Sequence, residues 1–206
     1  MTIRPRQTIA GFLILTGLLA GCIDLPKGTQ RPTRLYMLTA TAAAASGPIL
    51  ETEDDLSVGI GPLAFPEYLD RTQIITRTGR HELKGAPFAN WAEPLKENVM
   101  GVLVDNLAAL TGSDAVYSYP WRMDQAPQVQ LQLAIDRFDA ERGGEAVLAA
   151  RWEWLDRSGS PLMRRERTVL SLPVEGEGDD AVVAAMSRLL EDFGRTVVAR
   201  LDRILT

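Results

Sequence analysis

Apolar positions recur at helical spacing in two stretches of this chain. Beyond Pro94 they recur every three or four residues until Gly112, and beyond Asp179 they do so to the end of the chain. This period predicts two amphipathic helices. Asn90 and Glu93 have the spacing of a capping box for the first helix, and Asp179 is a capping residue for the second. The stripes are Leu95, Val99, Val102, Leu103, Leu107 and Leu110, and Val182, Met186, Leu189, Leu190, Phe193, Val197, Leu201 and Ile204.

Strict alternation of apolar and polar residues predicts strands between these helices. Residues 129–135 and 148–154 alternate, and a turn at 156–159 leads into a third strand at 162–172. The phase breaks at Phe138, which predicts a β-bulge at Asp136 and Arg137. Nearer the N-terminus we expect strands at 34–39 and 56–62, a helical turn at 66–71, and a hairpin of 73–77 with 82–83 around Gly79.

This order of elements predicts an α+β fold. We expect an antiparallel-rich mixed sheet with two main amphipathic helices packed on one face, and the other face left to solvent or to assembly. Residues 34–206 are expected to form a single domain. Within it, residues 40–55 hold an alanine run and an acidic cluster, which predicts a long exposed loop.

The N-terminus has the layout of an export signal. Arg4 and Arg6 precede an apolar run at 9–20, which is too short to span a bilayer comfortably. The run ends in Leu-Ala-Gly-Cys22, which resembles the bacterial lipobox. We therefore expect a cleaved signal peptide at 1–21, diacylglycerol and an N-acyl lipid on Cys22, and a tether at 22–33. The alternative is an ordinary signal peptide with a cysteine just beyond its cleavage site.

Charge and cysteine content narrow the classes of partner. The chain carries a formal charge of −5, which becomes about −7 once Arg4 and Arg6 are removed with the signal. A negative chain without a basic patch excludes nucleic acid as a partner and disfavours broad adhesion to anionic lipid head groups. Cys22 is the single cysteine, so the mature domain has no disulfide.

The residues that catalysis or metal binding requires are scarce. His81 is the single histidine and no serine lies in a G-x-S-x-G elbow. The acids at 175–180 lack EF-hand spacing. The arginines at 164–167 are expected to face solvent, as are Asp136, Asp139 and Glu141 around the bulge. The sequence predicts no enzyme, no metal site, and no cofactor beyond the lipid on Cys22.

Three segments behind the lipobox carry a family resemblance. They are V-G-I-G-P at 58–62, P-E-Y-L-D-R-T-Q-I at 66–74 and N-W-A-E-P-L at 90–95, preceded by a weaker Y-x-L at 36–38. In this order they resemble the PqiC-type (YmbA-like) lipoproteins, also called ABC-type transport auxiliary lipoproteins. The longer alanine-rich loop at 40–55 departs from that pattern.

The resemblance implies an accessory component of intermembrane lipid transport that supports envelope integrity. Its expected partners are an MCE-domain protein of a PqiB-like conduit, an inner-membrane ABC transporter or permease indirectly, and further copies of itself in a homo-oligomer. Ile23, rather than aspartate, follows Cys22, which favours the outer membrane, with the inner membrane the less favoured location. The alternative function is a periplasmic lipid-binding shuttle lipoprotein, and an envelope hydrolase has the least support.

The motif residues are the candidates for partner or oligomer contacts, although each can equally serve to hold the fold. Glu93 can cap the first helix or pair with Arg71 or Arg77. The candidates are Tyr68, Leu69, Asp70, Arg71, Trp91 and Glu93.

Overall fold

The computed structural model describes residues 31–42, 50 and 56–206. Cys22, the signal peptide and most of the 40–55 segment lie outside the described residues, so the predictions made for them stand as predictions. Within the described part are eight strands and two α-helices. They are β1 (Arg34–Tyr36), β2 (Val58–Ala64), β3 (Gln73–Gly79), β4 (Glu82–Trp91), α1 (Leu95–Thr111), β5 (Val116–Ser118), β6 (Val129–Ala140), β7 (Glu145–Asp156), β8 (Glu166–Pro173) and α2 (Asp179–Leu205).

Strand β6 is the centre of a single mixed sheet. One of its edges carries the antiparallel meander of β7 and β8. Along its other edge, β2 pairs in parallel with the first half of β6 and with β5, while β3 meets the far end of β6. The β3–β4 hairpin then continues to β1, which pairs in parallel with β4. The longest ladders are antiparallel and the shorter ones parallel, which confirms the predicted α+β class.

The bulge predicted in β6 is present. The register between β6 and β7 shifts between Ile135 and Arg137, so Phe138 returns to the helix-covered face and is fully buried. The shift also moves Asp139 to the opposite face, where it takes part in the cluster described below.

Both helices cover the same face of the sheet and meet each other at a glycine. A Cβ atom at Gly194 of α2 would lie 3.1 Å from Leu110 Cδ1 of α1, so the missing side chain permits their close approach. Trp154 of β7 donates its indole N–H to the Val197 carbonyl of α2, and Trp152 packs edge-on against Phe193. Both predicted apolar stripes face this core, with Ile204 at its margin.

The helix starts differ from the predicted caps. Asn90 and Trp91 belong to β4, and α1 begins after Pro94, where no side chain caps the helix. Gly178, not Asp179, is the N-cap of α2. Pairing of Asn90 with Gln73 on β3 holds that backbone extended, which overrides the local capping tendency. The end of α1 at Gly112, with φ of 70°, agrees with the prediction.

The segment after β1 is fastened to the helices by buried polar side chains. Asn98 of α1 accepts from the Leu38 amide at 2.7 Å and donates to the Leu38 carbonyl at 3.3 Å. Asn106 accepts from the amides of Thr41 and Ala42, and Ser187 of α2 accepts from Thr39. The predicted 34–39 strand is therefore a three-residue strand followed by a fixed, non-strand segment. Likewise β8 begins at Glu166, four residues later than predicted.

Candidate functional site

The segment after β2 and the segment after β4 lie side by side. A 3-10 helix at Glu67–Leu69 follows β2, as predicted for a helical turn, and the Asp70 amide closes it on the Glu67 carbonyl. The Trp91 amide then donates to the Thr72 carbonyl at 2.7 Å. Two sequence motifs about twenty residues apart are thus joined by backbone hydrogen bonds.

A surface groove of about 300 Å³ forms where they meet. Asp70, Arg71 and Glu93 are exposed on its rim, while Trp91 is only 6% exposed and forms its wall. We call this cavity the motif groove. It is lined by Asp70, Arg71, Thr72, Trp91, Ala92, Glu93 and Pro94.

The structure divides the six candidate residues into three groups. Asp70, Arg71 and Glu93 are exposed and available to a partner. Leu69 and Trp91 are buried in the core, so their main contacts hold the fold. Tyr68 is directed away from the groove into a separate polar cluster.

That cluster is centred on Asp139, whose side chain is fully buried. The Tyr68 hydroxyl donates to Asp139 Oδ2 at 3.1 Å. Arg77 donates to both carboxylate oxygens, at 3.2 and 2.9 Å, and Arg137 donates to Oδ1 at 2.9 Å. We call these four residues the Asp139 cluster. It links the 3-10 helix, β3 and β6 through charge-assisted hydrogen bonds.

The protonation states follow from these contacts. Burial acts to raise the pKa of Asp139, but hydrogen bonds from Arg77 and Arg137, with their positive charges, hold it below its ordinary value. Burial and the Asp139 charge raise the pKa of Tyr68 to about 12. Asp139 is therefore an anion at neutral pH, and Tyr68 is a neutral donor to it.

The expectation that the acids around the bulge are exposed is wrong for Asp139. Asp136 and Glu141 are exposed, but Asp139 is not. Its place directly after the core residue Phe138, inside a long strand, was a signal that it faces the opposite side of the sheet. The sequence gives no sign that Tyr68 and Arg77 cover that side.

The predicted roles of Glu93 are also wrong. It does not cap α1, and Arg77 pairs with Asp139 instead. Across residues 56–206, neither Glu93 nor Arg71 takes part in an ion pair. Both charges are therefore left to solvent or to a partner.

The structure requires glycine at both glycine positions of the V-G-I-G-P motif. A Cβ atom on Gly59 would lie 2.4 Å from Pro127 Cγ and 2.8 Å from the Trp121 ring, and Gly61 has φ of 118°. Neither backbone position accepts a side chain without strain. This motif shapes the end of β2 rather than forming a binding loop.

The arginines at 164–167 face solvent, as predicted. Arg164, Arg165 and Arg167 are exposed, and a shallow cavity of about 340 Å³ on the open face of the sheet is lined in part by Arg151 and Arg165. Arg151 pairs with Asp136 and Arg165 with Glu153, so much of this charge is neutralised within the sheet.

Two kinds of feature are absent from the described ranges. There, no group of three or more histidine, cysteine, aspartate or glutamate side chains could hold a metal ion. Over the same residues, no helix combines the length and apolar character needed to cross a membrane.

Solved structures share this fold. A protein of Xanthomonas campestris superposes with a TM-score of 0.67 at 15% identity, covering 84% of this chain and 96% of that one. Another, described as an uncharacterized protein, gives 0.61 at 21% identity, with coverage of 85% and 100%. A PelC dodecamer from Paraburkholderia phytofirmans aligns at 0.39 and 18% identity, over 70% and 90% of the two chains, too distantly to carry an argument about assembly. No curated protein sequence matches the chain.

A family model matches residues 36–198, which is most of the chain. The model describes the ABC-type transport auxiliary lipoprotein component, and the matched range includes all three motif segments. This family is one of transport accessory lipoproteins and not of enzymes. The resemblance seen in the sequence is confirmed: the chain belongs to the ABC-type transport auxiliary lipoprotein component family.

Proposed function

We propose that this chain is an outer-membrane lipoprotein that docks the periplasmic end of an MCE-type lipid conduit and so supports envelope integrity. Cys22 carries the lipid anchor, and the motif groove receives the conduit protein. Copies of the chain assemble as a homo-oligomer around the conduit. An inner-membrane ABC transporter or permease acts on the same conduit from its far end.

The motif groove is the observation that carries this proposal. Its wall is fixed, because Trp91 is buried and its backbone amide donates a hydrogen bond to the Thr72 carbonyl. Its rim presents Arg71 beside the carboxylates of Asp70 and Glu93. A rigid apolar wall with charges at its edge is the usual anatomy of a protein-docking site. A fixed site of this kind suits assembly.

The packed interior of the domain argues against the shuttle alternative. A shuttle needs an acyl-chain cavity between the helices and the sheet. Trp152, Trp154 and Phe193 occupy that space and are each at most 1% exposed. Bound lipid in a mass spectrum of the gently purified protein would revive that alternative.

Site-specific photocrosslinking in intact cells tests the docking proposal. A photoreactive amino acid at Arg71 or at Glu93 is expected to capture an MCE-domain protein, identified by mass spectrometry. Val169, which is 52% exposed on β8, is the matched control position and is expected to give no such product. Capture from Val169 but not from the groove positions would overturn the proposal. Capture of a second copy from the groove would make it the oligomer interface instead.

A further inference from the structure

Large apolar side chains are exposed where the domain begins. Leu35 is 67% exposed, Met37 is 49% exposed and Phe88 is 44% exposed. The register sets Leu35 opposite Asn90 on β4, two residues from Phe88. We call these three residues the β1 patch. Single exposed apolar residues are ordinary, but several together at one sheet end mark a contact surface.

The β1 patch cannot fold back into the core. Tyr36 and Leu38 alternate with the patch residues and already fill the inner positions. The backbone of β1 is fixed by pairing with β4. The amides of Leu38 and Thr39, which follow, are fixed by hydrogen bonds to Asn98 and Ser187. The exposed side chains are therefore held outward on a rigid backbone, and whatever covers them lies outside this domain.

Chain length favours a bilayer as the cover, given the anchor at Cys22 on which this inference rests. Leu35 follows Cys22 by thirteen residues, so a fully extended chain of about 3.5 Å per residue holds it within roughly 45 Å of the anchored cysteine. The β1 patch begins with the second residue of the first described strand. Large apolar side chains held outward within reach of a lipid anchor suit the boundary between head groups and acyl chains.

We propose that the β1 patch lies against the surface of the membrane that holds the anchor. Leu35, Met37 and Phe88 insert among the lipid head groups. The motif groove is one hydrogen bond from β1, because the Ala92 amide donates to the Tyr36 carbonyl at 2.9 Å. A conduit docked in that groove would therefore end beside the bilayer.

The topology supplies a control surface. β8 lies five strand positions from β1 in the sheet, or about 24 Å at the usual strand spacing. Val169 on β8 is exposed to a similar extent as Met37 and Phe88. With β1 on the membrane, Val169 remains in water.

The test uses single cysteines in the lipidated, full-length protein. Cys22 is the only native cysteine and is blocked by lipid, so an introduced cysteine is the only thiol available for an NBD fluorophore. Leu35→Cys, Phe88→Cys and Val169→Cys variants are labelled and reconstituted into vesicles of phosphatidylethanolamine and phosphatidylglycerol. A doxyl-labelled phospholipid in the same vesicles quenches fluorophores that touch lipid.

At positions 35 and 88 we expect blue-shifted emission that loses more than half its intensity to the doxyl lipid, with position 169 unchanged. Mass spectrometry first shows that Cys22 carries lipid. In such protein, equal quenching at all three positions, or no quenching at any, overturns the proposed membrane contact of the β1 patch but leaves the anchor intact. A blue shift without doxyl quenching also overturns it, since a protein surface then covers the patch. Absence of lipid on Cys22 overturns the anchor, and the patch with it.

Discussion

The Asp139 carboxylate joins parts of the sheet that share almost no backbone pairing. β3 pairs with β6 only where Thr76 meets Ala140, and Arg77 and Arg137 converge on Asp139 beside that point. Desolvating a carboxylate is costly, and the cost is offset only when its oxygens are fully hydrogen-bonded. Tyr68 completes that set, which explains the tyrosine of the family motif as a structural residue.

Asp139→Asn is expected to lower the free energy of unfolding at pH 7 by about 3 kcal/mol, because two guanidinium groups lose their shared anion. The pKa of Asp139 lies below its ordinary value of about 3.9. Its ionisation therefore stabilises the fold above pH 4, and this stabilisation is lost as the pH falls further. Urea unfolding followed by tryptophan fluorescence should show a shallower loss of stability below pH 4 in the variant than in the parent.

Asp136→Asn is the matched control for this substitution, since it removes a carboxylate from the same strand. Asp136 pairs with Arg151, but both side chains are substantially exposed, so the expected loss is at most about 1 kcal/mol. Equal losses for the two variants would show that burial of Asp139 does not set its contribution.

Among the elements, those with uniform periodicity and the β3–β4 hairpin around Gly79 could be predicted from the sequence. The extension of β4 through Trp91, which strand pairing fixes, could not. Both helices and the β6–β7–β8 meander follow from local apolar spacing. The capping box at Asn90 failed because β4 extends through Trp91 to pair with neighbouring strands. For the same reason the motif groove was invisible in the sequence. Its motifs were recognised, but only the register that sets Gln73 opposite Asn90 brings them together.

Asn98 is one of the three helix side chains that fasten the segment after β1. In Asn98→Ala, the Leu38 amide and carbonyl both lose their partner, and unpaired buried groups cost about 2 kcal/mol. We expect the free energy of unfolding to fall by that amount. Hydrogen exchange by mass spectrometry should show faster exchange of the Leu38 amide.

Glu97→Ala on the same helix turn is the control. Glu97 is exposed, and such surface substitutions change stability by no more than about 0.5 kcal/mol. Unchanged exchange at Leu38 in Asn98→Ala would mean that the Asn98 hydrogen bonds do not hold the segment in place.

At the scale of the whole molecule, the proposed function separates two attachments. The lipid on Cys22 would confine the protein to a membrane, and the motif groove would contact the conduit. Confinement at the membrane makes the contact between the groove and the conduit effectively intramolecular. The local concentration of the groove near the conduit then rises to the order of millimolar. A weak contact at the groove would then suffice, which fits a groove of only about 300 Å³.

The last prediction separates these contributions. Residues 23–206, secreted behind an ordinary signal peptide and so free of lipid, should crosslink to the conduit weakly at normal expression and recover when overexpressed, because concentration replaces confinement. The lipidated Arg71→Glu/Glu93→Arg variant should give little product at any level, because the exposed charges on the groove rim are reversed. Circular dichroism should show both forms folded, since neither change touches the core. Full crosslinking by the charge-reversed variant would show that the docking surface lies elsewhere on the domain.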